Sequence, residues 1–563
     1  MISTSACDPR LRRYVLPTRI VWMTEGAGIK NSELLLLGNE TACVLSEGFL
    51  REGNACVLEF DKQAPGVLLD FGRELHGGIA IENGMTKDKT PVRVRVRFGE
   101  SVSEAMGQPN NDHAVKDIIA QVPWFGTAEI GNTGFRFVRI DLLDKGARLD
   151  IRRLRAVFLY RDLEYKGAFE CNDDRLNRIW QTGAYTVHLC MQDLLWDGIK
   201  RDRLPWLGDM HPEAMTICNV FGEVDVVPKS LDIVRDATPL PAWMNTLSSY
   251  SAWWVLIQQS WYLYHGNRSY LEEQREYLLG LLALLREQVS QNGREHMAEG
   301  RFLDWPSTGD DCAIHAGLQA LLLMALRAGA ELCAVLDEHE ERARCLSAAE
   351  VLMKHNPEPT ESKQANALLV LAGLADPTEA NQRVLGRDPL RNLSTFYGYY
   401  VLQARAAAKD YRGCLGVIRH YWGKMLDLGA TTFWEDFDLD WTRDAAGIDE
   451  LVPEGKKDIH ADFGAHCYKG LRHSLCHGWA SGPTAWLSEH VLGFVPLAPG
   501  CRKLLINPHL GDLAWARGAF PTPHGIVRVS HIQQAEGKVV TDIEAPQGIE
   551  VLVDDNPSGN PLQ

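Results

Sequence analysis

Positive charge is scarce in this chain. Its 563 residues include 58 Lys and Arg against 74 Asp and Glu, a formal net charge of −16. Binding to nucleic-acid phosphates or to an anionic membrane needs a basic surface, so this balance argues against both partners. No apolar run has the length of a bilayer span. The N-terminus, MISTSACDPRLRRYVLPTRIVW, has no continuous apolar segment of the secretory kind, and a cytoplasmic location is expected from that. The 13 cysteines are scattered and odd in number, which fits reduced, buried thiols rather than a disulfide framework. Phosphate loops, dinucleotide fingerprints and Ser or Cys nucleophile motifs do not stand out. His466, Cys467, His473, Cys476 and His477 cluster, but without a paired zinc spacing, and they read as ordinary packing. No metal or organic cofactor is expected.

What the chain has is a full globular composition, 45% apolar and 23% charged, and enough length for two to four domains. It also has 16 Trp, many of them between residues 180 and 486. Tryptophan fills cores, and it is also a surface on which sugar rings stack. The first part alternates apolar and polar residues, as in GVLLDFG, GGIAIENG, PVRVRVRFGE and FRFVRIDLL, which predicts antiparallel strands in a sandwich over residues 1–165. The texture changes at GAFECNDDRLNRIW, where Asn172 or Asp173 can cap a helix running through to LLW. From 166 to 493 the apolar spacing is three-to-four, in roughly a dozen helical segments. No solenoid motif repeats, which favours a closed barrel of helical hairpins. Short strands return over 494–563, and the tail DDNPSGNPLQ reads as frayed.

Four segments could carry chemistry. DGIKRDRLPWLGD (197–209) packs acids and bases around one Trp, and Gly198 and Pro205 make it a loop at a helix end. GATTFWEDFDLDW places Glu435 after Trp434. FLDWPSTGDD places Asp304 beside Trp305, and HSLCHGWASG holds His477 and Trp479. Two carboxyl groups facing each other across a Trp-walled pocket would suit glycoside hydrolysis.

Together these segments resemble glycoside hydrolase family 78, the α-L-rhamnosidases. The specific likeness lies in Asp197 to Asp209, in TTFWE at 431–435, in LDWPSTGD, in SLCHGWASG and in the C-terminal WARGAFPTPHG. The resemblance implies a central (α/α)6 helical barrel flanked by an N-terminal β-sandwich and a small C-terminal β-sandwich domain. It implies an inverting, exo-acting enzyme that removes terminal L-rhamnose from an oligosaccharide or glycoside. Asp202 would be the general acid and Glu435 the general base. Asp197, Arg201, Trp206, Asp209, Asp304, Trp305, Trp434 and His477 would line the sugar site. The family usually has Glu where this chain has Asp202, whose carboxyl sits about 1.5 Å further back. Glu213 is then a second candidate donor. Lys200, Arg201 and Arg203 suggest an anionic, uronate-bearing leaving side. Another sugar, lyase or phosphorolytic chemistry, or glycan binding without cleavage remain as alternatives. The aglycone and the oligomeric state are left open.

Overall fold

The computed structural model describes residues 8–38, 54–84, 89–108, 115–298, 300–534 and 538–553; the tail from 554 lies outside them. The alternating N-terminal segments form one nine-stranded sheet. GVLLDFG and GGIAIENG, two strands by sequence, are a single strand, Gly66–Asn83. It pairs antiparallel with Gly126–Leu142 and, through its second half, with Arg148–Tyr160. Register slips after Asp70 and Gly77 bend it, as bulges do. Gly77 has φ 140°, and a Cβ there would lie 1.9 Å from the Val157 carbonyl oxygen, so the bend requires glycine.

A six-hairpin helical domain follows. Asp173 caps the helix Asp174–Cys190 by accepting the N–H groups of Arg175 and Leu176. That helix ends at Cys190, short of the expected LLW, because the backbone turns back in a Met191–Leu195 bridge. Contrary to the expectation from the sequence, one helix, Asp311–Val335, is long and apolar enough to cross a membrane. Its residues are mostly buried among the other helices, the ordinary place for an all-round apolar helix.

The C-terminal strands form a four-stranded sheet and a three-stranded sheet. The four-stranded sheet takes its first strand, Ala168–Cys171, from the start of the helical region, where it pairs with Trp515–Thr522. One apolar core runs from Phe169 through the helices to Val529. The N-terminal sheet has its own core, and Leu189, Trp196, Ile199 and Cys476 of the helical region are inserted into it. The loop 191–206 is therefore anchored on both sides.

Candidate active site

The acidic and basic stretch 197–209 is a closed reversal. The Asp197 N–H donates to the Leu204 carbonyl at 3.0 Å, and the Leu204 N–H returns to Asp197 Oδ1 at 3.0 Å. At its tip Asp202 and Arg203 have φ of 54° and 58°, the left-handed region that Asp tolerates better than most residues. Helix Leu207–Val220 starts just after Trp206 and carries Asp209 in its first turn.

Glu435 comes from an extended segment that lies beside a second one. The Glu435 N–H donates to the Ser474 carbonyl at 3.0 Å, and the His477 N–H donates to the Phe433 carbonyl at 3.0 Å. Successive side chains of an extended segment point to opposite sides. Glu435 faces the cavity, so Trp434 faces away, buried against Phe437 and His473. At 304–305 the backbone turns into a short 3-10 helix, Trp305–Ser307, capped by Asp304. Trp305 lines the cavity, while Asp304 is buried behind it, accepting the Trp305 N–H at 2.8 Å and the Ser394 hydroxyl at 2.5 Å. Asp304 and Trp434 thus support the walls of the cavity instead of lining it.

The other eight residues expected from the sequence come together. Asp197, Arg201, Asp202, Trp206, Asp209, Trp305, Glu435 and His477 line one cavity of about 320 Å³. Arg201 joins the two carboxylates expected to do the chemistry. Its Nη1 donates to Asp202 at 2.9 Å and its Nη2 pairs with Glu435. The second Glu435 oxygen accepts the Ser474 N–H at 3.0 Å. His477 lies between Asp209, at 3.0 Å from Nε2, and Glu435, at 3.6 Å from Nδ1. Burial alone would depress the His477 imidazole; Glu435 and Asp209 outweigh it and raise it to about 9. At neutral pH it is an imidazolium donating to Asp209.

The acids divide by burial. Asp197 and Asp209 are each 3% exposed, and burial pushes both above the usual carboxylate range, Asp197 far above it. The side chain of Asp202 is 35% exposed and ion-paired. Arg201 pairs with Asp202 and Glu435. Glu213 is fully buried, does not line the cavity, and is held far above its usual value by burial. The cations proposed to bind a uronate are engaged within the protein. Lys200 pairs with Glu104 at 2.9 Å, Arg201 holds the two carboxylates, and Arg203 donates to the carbonyls of Ile199 and Asn132. Of the three, only Arg201 lines the cavity.

Sequence reasoning missed several wall residues. Tyr250, Phe302 and Tyr468 join Trp206, Trp305 and Trp479 in an aromatic belt, with Tyr250 edge-on to Trp206 and Phe302 edge-on to Trp305. The Trp305 indole donates to the Tyr468 hydroxyl at 2.8 Å. Tyr250 sits in the first turn of a helix that is otherwise core, and its spacing gave no sign of a second role. Such a cavity, apolar on its faces and charged at its floor, suits a sugar ring. Among the described residues no group of three His, Cys, Asp or Glu is disposed to hold a metal.

Comparison with known proteins agrees with this architecture. Residues 164–356 match the bacterial alpha-L-rhamnosidase 6 hairpin glycosidase domain, and residues 493–558 match the bacterial alpha-L-rhamnosidase C-terminal domain. An alpha-L-rhamnosidase of Alteromonas sp. (strain LOR) is 22% identical over 518 residues, 84% of this chain and 54% of that protein. Among solved structures, the GH78 family rhamnosidase of Bacillus sp. GL1 superposes with a TM-score of 0.73 at 23% identity, covering 89% of this chain and 54% of its own. The rhamnosidase from Klebsiella oxytoca with rhamnose bound gives 0.66 at 20% identity, covering 85% and 96%. The chain thus spans about half the length of the first two.

Proposed function

We propose that this chain, a GH78 rhamnosidase-like protein in its domains, is an inverting glycoside hydrolase that removes terminal α-L-rhamnose. The observation that carries the reading is the cavity in which Glu435 and Asp202 share Arg201 beneath a belt of Trp, Tyr and Phe rings. Its volume, about 320 Å³, is at the small end for ligand sites and suits one sugar ring, which favours exo action. Glu435, aligned by Arg201, Ser474 and His477, takes a proton from the attacking water. Asp202, at the mouth, protonates the leaving oxygen. The buried Asp197 and Asp209 hydrogen-bond sugar hydroxyls.

A specific observation favours a second reading of the donor. Burial pushes the Asp197 carboxyl well above the usual carboxylate range, whereas the Asp202 side chain is 35% exposed and paired with Arg201. A general acid needs its proton at the working pH. Leaving groups separate the two readings. Replacing the true donor should cost about 10²–10⁴-fold in kcat on an alkyl rhamnoside and far less on a nitrophenyl rhamnoside, which departs without a proton. Asp202→Asn and Asp197→Asn are compared on both substrates, with Glu435→Gln inactive on both. Proton NMR of the first-formed anomer of free rhamnose tests inversion. No turnover of any rhamnoside by the wild type would refute the proposal.

A further inference from the structure

The segments that carry Glu435 and His477 are gripped by the N-terminal sheet domain. Arg136 donates to the Gly429 carbonyl at 2.8 Å, and the Glu74 N–H donates to the Thr431 hydroxyl at 2.9 Å. The closest hold is at the turn containing Glu100. This side chain is buried, and its two oxygens serve adjacent residues. One accepts the Leu475 N–H at 2.6 Å and lies 3.8 Å from the buried Lys200 ammonium; the other lies 3.3 Å from the Ser474 hydroxyl, which is shared with the Cys476 carbonyl at 3.1 Å. The Ser474 N–H is the group that donates to Glu435 Oε2. Around it, Ser101 bonds to the His460 ring at 2.7 Å, and the other nitrogen of that ring lies 2.9 Å from the His473 carbonyl. Glu104 accepts the Glu100 N–H at 2.9 Å and pairs with Lys200, so it is engaged elsewhere.

We infer that Glu100 is a positioning residue for Glu435: by fixing Ser474 and Leu475 it aims the Ser474 N–H at the carboxylate that activates water. The inference rests on Glu435 being the base. The chemistry of the contact argues for a role beyond packing. A buried carboxyl is costly, and Lys200, already paired with Glu104 at 2.9 Å, is the more distant of its partners, at 3.8 Å. What the carboxyl adds is a pair of acceptors on two neighbouring residues, one of them a single hydrogen bond from Glu435. The N-terminal domain then takes part in the site through its partners, without touching substrate.

The test uses the full chain with Glu100→Ala, Glu100→Gln, Glu435→Ala and the Glu100→Ala/Glu435→Ala double variant. Glu100→Ala should lower kcat by roughly 10²-fold, the scale of a misplaced catalytic group, with KM within twofold. Glu100→Gln, which keeps an acceptor for Leu475, should recover most of the rate. The double variant should be no slower than Glu435→Ala. A second readout needs no turnover: NMR titration of the His477 ring, whose midpoint should fall in Glu100→Ala as Glu435 moves off and stay in place in Glu100→Gln. If rhamnoside hydrolysis fails in the wild type but this midpoint moves, the proposed reaction falls and the positioning role stands. An unchanged kcat and midpoint in folded Glu100→Ala overturns the inference. So does a parallel loss of kcat, KM and thermal midpoint that Gln fails to rescue. Should Glu100→Ala not fold, Glu100→Asp carries the same comparisons.

Discussion

His477 is buried between two carboxylates, and they hold its proton to about pH 9. Its folded value lies above that of a free imidazole, about 6.5. The stabilisation it brings is therefore complete below about pH 6.5 and is lost as pH rises through 9. Both kcat and the unfolding midpoint should show an alkaline decline centred near pH 9, and His477→Gln should remove that decline from each profile. Cys467 offers a second test at this scale. It is an exposed thiol on the cavity wall, whereas most described cysteines are buried. An alkylating reagent should inactivate the protein, and bound L-rhamnose should protect it. Cys467→Ser should be resistant; Cys312→Ser, whose thiol is exposed away from the cavity, should remain sensitive.

Two adjacent segments, 431–435 and 474–477, and one reversal, 197–204, carry most of the charged groups of the site. A Cβ on Gly478 would lie 1.5 Å from Glu213 Oε1, in a place where Glu213 has no room to withdraw. Gly478→Ala should cost about 1–3 kcal/mol of stability, read by urea denaturation, and adding Glu213→Ser should return part of it. Much of this level could be read from the sequence. The loop motifs, through their resemblance to glycoside hydrolase family 78, named ten residues, of which eight line the cavity. The two that fell outside, Asp304 and Trp434, are each next in the chain to a residue that lines it, and a motif does not say which member of such a pair faces inward. Tyr250 and Tyr468 could not be found this way. Their neighbours carry no acid motif, and only the closing of helices around the cavity brings them to it.

At the scale of the molecule, the helices and the C-terminal sheets share one core, with Phe494 stacked on Phe520 and Tyr264 edge-on to Phe520. Truncation after residue 493 should therefore yield an insoluble or molten product, checked by solubility and near-UV circular dichroism. Buried acids set the overall pH response. Asp197, Asp209 and Glu213 all have folded values raised by burial. Each favours the folded state most below about pH 4, and that advantage declines as the unfolded carboxyls ionise above it. Substituting Asn at 197 should flatten the fall in stability between pH 4 and 7. The order β, α, β was plain from the alternation of apolar residues. The exchange of Ala168–Cys171 into the last sheet was not, because four residues carry too little pattern to name a partner so far away.

That exchange has a consequence for biosynthesis. Glu170 meets Arg517 across 347 residues of intervening chain. At ribosomal speeds of about 5–20 residues per second, the early strand waits roughly 17–70 s before its partner is made. Until then the six hairpins emerge with a bare hydrogen-bonding edge at their threshold, a natural landing place for a chaperone.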